Sequence, residues 1–232
     1  MKQIVVFTGA GVSAESGIKT FRDSGGLWEE YKVEDVATPA AWNKDPALVL
    51  RFYNERRKQV IETKPNEAHY AIARLQEKFD VCVVTQNIDD LHERAGSKNI
   101  LHLHGEILKA RSSADAALIV PLKHWEMKMG DLCAKGSQLR PHIVWFGENV
   151  PNYELGVNIC NRADLFIIIG TSLNVYPAAG IVHYVPGDAP KFLIDPNDVP
   201  ANTIENLTII KQKAGAGMKK LADDILSGKV KF

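Results

Sequence analysis

The sequence predicts an α/β fold, a parallel sheet with helices on both faces to which two insertions add a small lobe. Three observations carry this: short apolar runs that each end in small polar residues, helical apolar patterns between those runs, and two stretches that break the alternation. Runs that stay apolar instead of alternating belong to strands buried on both faces, as in a parallel sheet.

The elements follow in order. Ile4-Val5-Val6-Phe7 runs into Thr8-Gly9, Val81-Cys82-Val83-Val84 into Thr85-Gln86, and Leu165-Phe166-Ile167-Ile168-Ile169 into Gly170-Thr171-Ser172. A fourth run, Lys191-Phe192-Leu193-Ile194, ends at Asp195-Pro196, and a fifth, Leu207-Thr208-Ile209-Ile210, precedes the closing segment. Between them, residues 66–78 place Ala68, Ala71, Ile72 and Leu75 at helical spacing, and residues 218–226 do the same with Met218, Leu221, Ala222 and Ile225. Residues 27–65 read as helices only, broken at Pro39 and Pro46, and residues 108–140 read as polar and irregular. One domain, residues 1–232, thus divides into a large lobe of about residues 1–26, 66–107 and 141–232 and a small lobe of about residues 27–65 and 108–140.

Lys+Arg and Asp+Glu both number 28 among 232 residues, so no net charge draws the chain to nucleic acid or anionic lipid. Apolar residues at 45% and charged residues at 24% are the mix of a folded globule. The longest strongly apolar run, residues 165–169, falls far short of the roughly 18 residues a membrane-spanning helix needs. The first apolar run stops at Thr8-Gly9, before the roughly 7–15 residues of a signal-peptide core are reached. Three cysteines, Cys82, Cys133 and Cys160, make no C-x-x-C pair and specify neither a disulfide framework nor a zinc knuckle. A cytoplasmic protein without nucleic-acid or membrane partners is expected, with Cys82 and Cys160 as core thiols.

Gly9-Ala10-Gly11-Val12-Ser13-Ala14 follows the first strand and opens a helix, the place where a glycine-rich turn lets backbone approach a pyrophosphate at a helix N-terminus. The same glycines also suit a tight turn that binds nothing. The usual Rossmann fingerprint wants an acidic residue about 20 positions on, at the end of a second strand. Here that distance reaches Glu29 and Glu30 in a helical stretch, so the loop is not that of a common dehydrogenase. Asp195, at the end of a later strand, can accept from both hydroxyls of a ribose, or can simply start a turn before Pro196.

Gln86-Asn87-Ile88-Asp89 brings three polar side chains to the carboxyl edge of the sheet, where open parallel sheets bind ligands. Helix capping accounts for Asn87 or Asp89 but not for Gln86 as well. Leu101-His102-Leu103-His104-Gly105 alternates apolar residues with histidine, as an edge of sheet does. A histidine there can be purely structural; Gly105 and the adjoining insertion favour a role for His104.

With these segments assembled, the chain resembles the sirtuins, the NAD-dependent protein-lysine deacylases. The matching segments are residues 9–18 followed by Phe21-Arg22, then Gln86-Asn87-Ile88-Asp89, His102-Leu103-His104-Gly105, Leu139-Arg140-Pro141-His142-Ile143-Val144-Trp145-Phe146-Gly147-Glu148, and Gly170-Thr171-Ser172 with Pro177-Ala178-Ala179. They stand in the family's order across nearly the whole chain.

The resemblance implies NAD as co-substrate and a role for each matched position. Gly9, Ala10, Gly11 and Ser13 are implied as the pyrophosphate cradle, Phe21 and Arg22 as the mobile loop over the nicotinamide end, and Gln86, Asn87, Ile88 and Asp89 as the groups around the nicotinamide and its ribose. His104 matches the catalytic base, with Asn87 and Asp89 sharing in catalysis. Gly170, Thr171 and Ser172 match the adenosine side, Asp195 stands where the family usually has Asn, and Ala214 matches an adenine-flanking residue. Val144, Phe146, Gly147 and Glu148, together with Val175 between Asn174 and Tyr176, resemble the two strands that pin the substrate peptide. The implied reaction transfers the acyl group of a lysine in a protein substrate, giving nicotinamide, 2′-O-acyl-ADP-ribose and free lysine. A mono-ADP-ribosyltransferase and a non-catalytic NAD- or peptide-binding module are the alternatives. A monomer is expected.

Two features depart from or refine the family pattern. Most sirtuins hold the irregular lobe with two C-x-x-C pairs that bind zinc; here residues 111–135 contain only Cys133, and His124 stands at no familiar ligand spacing from it. The expectation is a lobe without zinc, resting on Leu118, Ile119, Leu122, Trp125, Met127 and Leu132. Tyr53 and Arg56, three apart in a helical stretch and so on one face, resemble the pair that marks the branch preferring succinyl- and malonyl-lysine. Ala37-Thr38-Pro39 resembles the same branch, while a packed Tyr beside a surface Arg is the plain alternative.

Overall fold

The computed structural model describes residues 1–19 and 31–232. Strand β1 (Gln3–Thr8) leads into a 3-10 helix (Ala10–Ser16); helices α1 (Val33–Val36), α2 (Pro39–Lys44), α3 (Pro46–Glu62) and α4 (Glu67–Arg74) follow. Then come β2 (Asp80–Thr85), α5 (Leu91–Arg94), β3 (Asn99–His102), β4 (Gly105–Ser112), β5 (Ile119–Pro121), β6 (Leu139–Ile143) and α6 (Tyr153–Cys160). The chain closes with β7 (Leu165–Ile169), a 3-10 helix (Ala178–Tyr184), β8 (Lys191–Ile194), β9 (Leu207–Ile210) and α7 (Ala214–Leu226).

The six-stranded sheet has the order β3-β2-β1-β7-β8-β9. Every pairing in it is parallel, with Ile4 opposite Val81 on one side and Leu165 on the other. Its five inner and right-hand strands are the five apolar runs, and the histidine-bearing segment supplies the edge strand β3. Successive side chains along a strand point to opposite faces. Ile4, Val6, Leu165, Ile167 and Ile169 accordingly pack under Ile72 of α4 and Met218, Leu221 and Ile225 of α7, while Val5, Phe7, Phe166 and Ile168 pack against Ile159 and Cys160 of α6 and Ile181. Burial pushes the Cys160 thiol up to about 12 and that of half-buried Cys82 to about 11, as befits core thiols.

The proline breaks of the first insertion are helix starts. Pro39 and Pro46 each sit in a first turn, where the missing N–H costs nothing, behind Thr38 and Asp45, whose side chains accept from Ala41 N–H at 3.0 Å and Leu48 N–H at 2.9 Å.

The second insertion is more regular than its polarity suggests: β5, β4 and β6 form an antiparallel sheet. It does not rest on the apolar residues expected of it. Met127 is buried and Leu122 packs beside it, but Ile119, Trp125 (42% exposed) and Leu132 (57% exposed) face outward, and Leu118 is half-buried. What joins the two insertions is polar as well as apolar, since Leu50 and Trp42 of the first pack against Ala110, Leu122, Met127 and Leu139 of the second. Arg57 of α3, fully buried, donates from Nε to Ile107 O at 2.6 Å and from Nη1 to Asn54 Oδ1 at 2.7 Å and Trp125 O at 2.8 Å. Asn54 in turn donates to Met127 O at 2.8 Å and accepts from Met127 N–H at 2.9 Å. Glu148 ties β4 to β6 by accepting from Arg111 at 3.0 Å and Arg140 at 2.8 Å. Cys133, the lobe's thiol, is buried and donates to Ser112 Oγ at 3.3 Å.

Candidate active site

The loops after β1 and β7 meet backbone to backbone. Gly9 N–H donates to Ile169 O at 3.1 Å and Gly11 N–H to Gly170 O at 2.8 Å, and a Cβ on Gly9 or Gly11 would come within 2.8 and 2.7 Å of residue 170. Gly170 itself has φ +65 and would drive a Cβ into Val12 N. The glycines therefore let two loops close on each other at the carboxyl edge of the sheet, and the 3-10 helix starts from that junction.

Ser13, expected in the cradle, stands in the 3-10 helix. Its hydroxyl is fully buried beneath the loop, donating to Asp89 Oδ2 at 3.1 Å and accepting from Asn87 Nδ2 at 3.1 Å, with His69 Nε2 at 3.5 Å. Asp89 Oδ1 accepts from Leu91 N–H at 3.2 Å, an Asx turn one residue ahead of Asp90, the N-cap of α5. Burial raises the Asp89 pKa against the pull of those two hydrogen bonds. Ile88 O accepts from Ile107 N–H at 2.8 Å, which fixes this turn to β4. Gln86 bridges the two loops, donating from Nε2 to Thr171 Oγ1 at 3.0 Å, and its carbonyl faces His104.

The two histidines of the β3 edge differ. His102 is buried, with Nδ1 2.9 Å from Asn87 O and Nε2 2.8 Å from Glu93 Oε1; burial opposes its protonation, yet the Glu93 carboxylate raises its pKa. His104, half-buried, has Nδ1 3.1 Å from Gln86 O. A carbonyl only accepts, so Nδ1 carries the proton and the Nε2 lone pair is left to act as a base. Burial lowers the His104 pKa, the Gln86 bond opposing, which keeps the ring neutral at pH 7. Among the described residues, Glu93, His102 and Glu106 are the group whose ligand atoms would suit a metal, lying within 4.8 Å of one another. That group is already satisfied by ion pairs of His102 with Glu93 and of Lys109 with Glu106 at 2.7 Å.

The remaining expected residues spread outward from this centre. Val144 N–H donates to His104 O at 2.9 Å and Phe146 N–H to Ala37 O at 3.0 Å, so the segment after β6 runs from the histidine to the α1–α2 turn. Phe146 and Gly147 are exposed and Val175 is half-buried. Glu148 is turned inward: its oxygens accept from Arg111, Arg140 and Trp145 N–H, and although burial works the other way these donors hold its carboxyl below the usual range. These bonds hold the segment after β6 in place. Ser172 is half-buried beside buried Thr171. Asp195 is buried, and its Oδ1 accepts from Asn197 N–H at 2.9 Å, the turn alternative. Ala214 opens α7, where Glu15 accepts from Gly215 N–H at 2.7 Å. Phe21 and Arg22 lie outside the described residues. On α3, Tyr53 is 3% exposed and Arg56 half-buried, with its guanidinium 5.4 Å from the Phe52 ring centroid. Burial lowers the Arg56 pKa while Tyr53 and Asp89 oppose that, which couples α3 electrostatically to the polar cluster.

Sequence reasoning missed the floor of the site. Thr8 Oγ1 donates to Thr85 Oγ1 at 2.7 Å and lies 3.1 Å from His92 Nε2, and the His92 and His69 rings stand 4.8 Å apart, all buried. The capping motif Asn66-Glu67-Ala68-His69 was a usable signal, since the His69 ring accepts from Asn66 N–H at 3.3 Å.

Comparison with known proteins decides the family. Residues 9–177 match the Sir2 family. A Bacteroides thetaiotaomicron relative named NAD-dependent protein deacylase is 55% identical over 226 residues, covering 95% of this chain and 97% of the relative. The chain belongs to the Sir2 family. A second sirtuin relative of the same name, from Helicobacter pylori, is 49% identical over 228 residues, covering 97% of this chain and 96% of the relative. The solved structure of a Sir2 homolog–NAD complex superposes with a TM-score of 0.87 at 39% identity, covering 99% of this chain and 91% of that one.

Proposed function

We infer that this sirtuin is an NAD-dependent protein-lysine deacylase, and the observation that carries the reading is His104. Its Nδ1 proton is spent on Gln86 O while Nε2 has no partner among the described residues, beside the loops that hold Gln86, Asn87 and Asp89. The Gly9, Gly11 and Gly170 junction, closed backbone to backbone at the carboxyl edge of the sheet where the 3-10 helix begins, supports a pyrophosphate site there. Bound NAD supplies the ADP-ribosyl electrophile. Gln86, Asn87, Ile88 and Asp89 surround its nicotinamide end, Gly9, Ala10 and Gly11 line the pyrophosphate, and Gly170, Thr171, Ser172, Asp195 and Ala214 take the adenosine side. Ser13 acts from below by fixing Asn87 and Asp89. His104 Nε2 takes the proton of a ribose hydroxyl, and the substrate peptide adds as a strand between Val144–Gly147 and Val175.

The preferred acyl group is acidic. A succinyl or malonyl carboxylate needs compensation in a partly desolvated pocket, and Tyr53 with Arg56 on one face of α3 supplies a phenol and a guanidinium. The small lobe holds no zinc; its cohesion through Arg57, Asn54 and Glu148 supports this. One stoichiometric zinc in elemental analysis would refute it. The protein works as a cytoplasmic monomer of two lobes.

Mass spectrometry of the products from NAD and one peptide bearing acetyl-, malonyl- or succinyl-lysine tests the function. Free lysine with an acylated ADP-ribose is expected. Adenine label transferred to protein would identify an ADP-ribosyltransferase instead. Arg56→Met tests the acidic-acyl reading: kcat/KM on the succinyl peptide is expected to fall about ten- to a hundredfold, with the acetyl peptide little changed.

A further inference from the structure

Tyr53 is buried by apolar neighbours on three sides: Phe52 edge-on at 5.0 Å, Trp145 at 6.4 Å between ring centroids, and the Ile107 and Ile143 cluster. A buried phenol normally spends both its proton and a lone pair. Here the lone pair is spent, because Trp145 Nε1–H donates to Tyr53 Oη at 3.1 Å. An indole N–H is a donor only, so the contact has one possible direction. Among the described residues no acceptor takes the phenol proton. Burial lifts the Tyr53 pKa to about 12, against the effect of Arg56, so that proton is retained at any working pH.

Trp145 is itself locked. The Arg140 guanidinium lies 3.3 Å from its ring centroid, Arg140 is held by both oxygens of Glu148, and Glu148 Oε2 also accepts from Trp145 N–H at 2.8 Å. Trp42 supports the other edge at 5.8 Å. Trp145 also joins Val144 to Phe146, the segment that lines the peptide.

We propose that Trp145 is a specificity-positioning residue: by filling the acceptor side of Tyr53 it turns the phenol into an obligate donor aimed at the acyl group, selecting for substrates whose acyl chain ends in an acceptor such as a carboxylate. The proposal rests on the acidic-acyl reading of Tyr53 and Arg56. Donation into the phenol oxygen also polarises its O–H, so the bond to a substrate carboxylate is strengthened as well as directed.

The test is a double-mutant cycle of Trp145→Phe and Tyr53→Phe, read as kcat/KM on succinyl and acetyl versions of one peptide, with Arg56→Met run beside it. Trp145→Phe keeps an aromatic ring and removes the N–H. Its succinyl-to-acetyl ratio is expected to fall roughly three- to tenfold, mainly through KM for the succinyl peptide. In the Tyr53→Phe background the same change should leave the ratio unmoved, since there is no phenol left to orient. If Trp145→Phe lowers the ratio equally in both backgrounds, or lowers both substrates alike, Trp145 is a packing residue and the proposal fails. If Arg56→Met leaves the ratio intact, the acidic-acyl reading itself has failed. Should Trp145→Phe not fold, Tyr53→Phe alone still decides: an unchanged ratio shows that the phenol proton does not select.

Discussion

Strands β1 and β7 meet through Ile4, Val6, Leu165 and Ile167, side chains with no polar atom, whereas α3 adds to its apolar contacts with the second insertion the guanidinium of Arg57, which donates to Ile107 O of β4, and the amide of Asn54, paired with Met127. The sheet gains from area: each buried aliphatic side chain contributes about 1.5–3 kcal/mol wherever it packs well. The small lobe gains from a few directed bonds, each needing a particular partner. The difference teaches where tolerance lies. The sheet can absorb conservative changes, and the lobe, whose directed bonds each need their own partner, cannot.

The largest effect should come where the sheet edge does chemistry. His104→Ala removes the base without touching the core, and turnover is expected to fall roughly 10²–10⁴-fold, a range typical of a general base. NAD affinity by calorimetry and the unfolding midpoint should stay near wild type. A variant that loses NAD binding along with turnover would make His104 part of the scaffold.

Arg57→Met strikes the lobe's central staple. Ile107 O and Trp125 O lose this donor, each at about 1–3 kcal/mol, while Asn54 Oδ1 keeps the Met127 N–H. Some of that is offset, because burial already penalises the guanidinium, whose Nη2 has no partner among the described residues and whose pKa is lowered to about 10. A net loss of about 2–4 kcal/mol in urea unfolding is expected. Fluorescence should register it first, since Trp42, Trp125 and Trp145 all lie in or beside the lobe. A loss below about 1 kcal/mol would mean that the lobe is held by its apolar contacts after all.

The buried histidines under the site give the comparison a pH axis. His69 is lowered to about 4 by burial and His92 well below its ordinary value, so both are neutral when folded. Unfolded histidine titrates near 6.5, so the unfolded chain binds more protons below that pH. Their contribution is complete above 6.5 and is lost as pH falls toward 4. For His69 alone, going from pH 7 to pH 5 should cost about 2 kcal/mol. His69→Gln should flatten that slope, and an equally steep slope in the variant would assign it to other groups.

How much of this was legible in the sequence follows the same division. Strands β1, β2, β7 and β8 read directly, since a strand buried on both faces has to be a run such as Leu165-Phe166-Ile167-Ile168-Ile169, and β9 read from the same kind of run although it lies half-exposed at the sheet edge. The lobe did not. Arg57, Arg111 and Arg140 look like solvated charges in a sequence, and their partners Trp125 and Glu148 stand far along the chain or past a turn. Apolar residues there misled for the same reason: Trp125 contributes its carbonyl to Arg57 and leaves its ring half in water under Lys58. In the candidate site, polar strand ends and the His104-Gly105 step pointed to the carboxyl edge of the sheet, where Gln86 O meets the His104 ring and Asn87 and Asp89 meet Ser13. The burial of Ser13 and the inward turn of Glu148 depend on contacts with Asn87, Asp89, Arg111 and Arg140 that no local pattern encodes.

The smallest effect should be in the sheet core. Ile167 lies on the central strand β7, fully buried, opposite Val6 of β1 and Phe192 of β8, with α4 and α7 covering its face. Ile167→Val removes one methylene and keeps the branched Cβ that suits a strand, so the loss is the transfer energy of that group plus a small cavity, about 0.5–1.5 kcal/mol. Nothing charged is stranded and no directed bond is broken. The unfolding free energy should therefore drop by that amount equally at pH 7 and pH 5, and kcat/KM on acetyl and succinyl peptides should keep its ratio. If this single methylene costs as much as Arg57→Met, the sheet is no more forgiving than the lobe, and the contrast between area and directed bonds does not govern this fold.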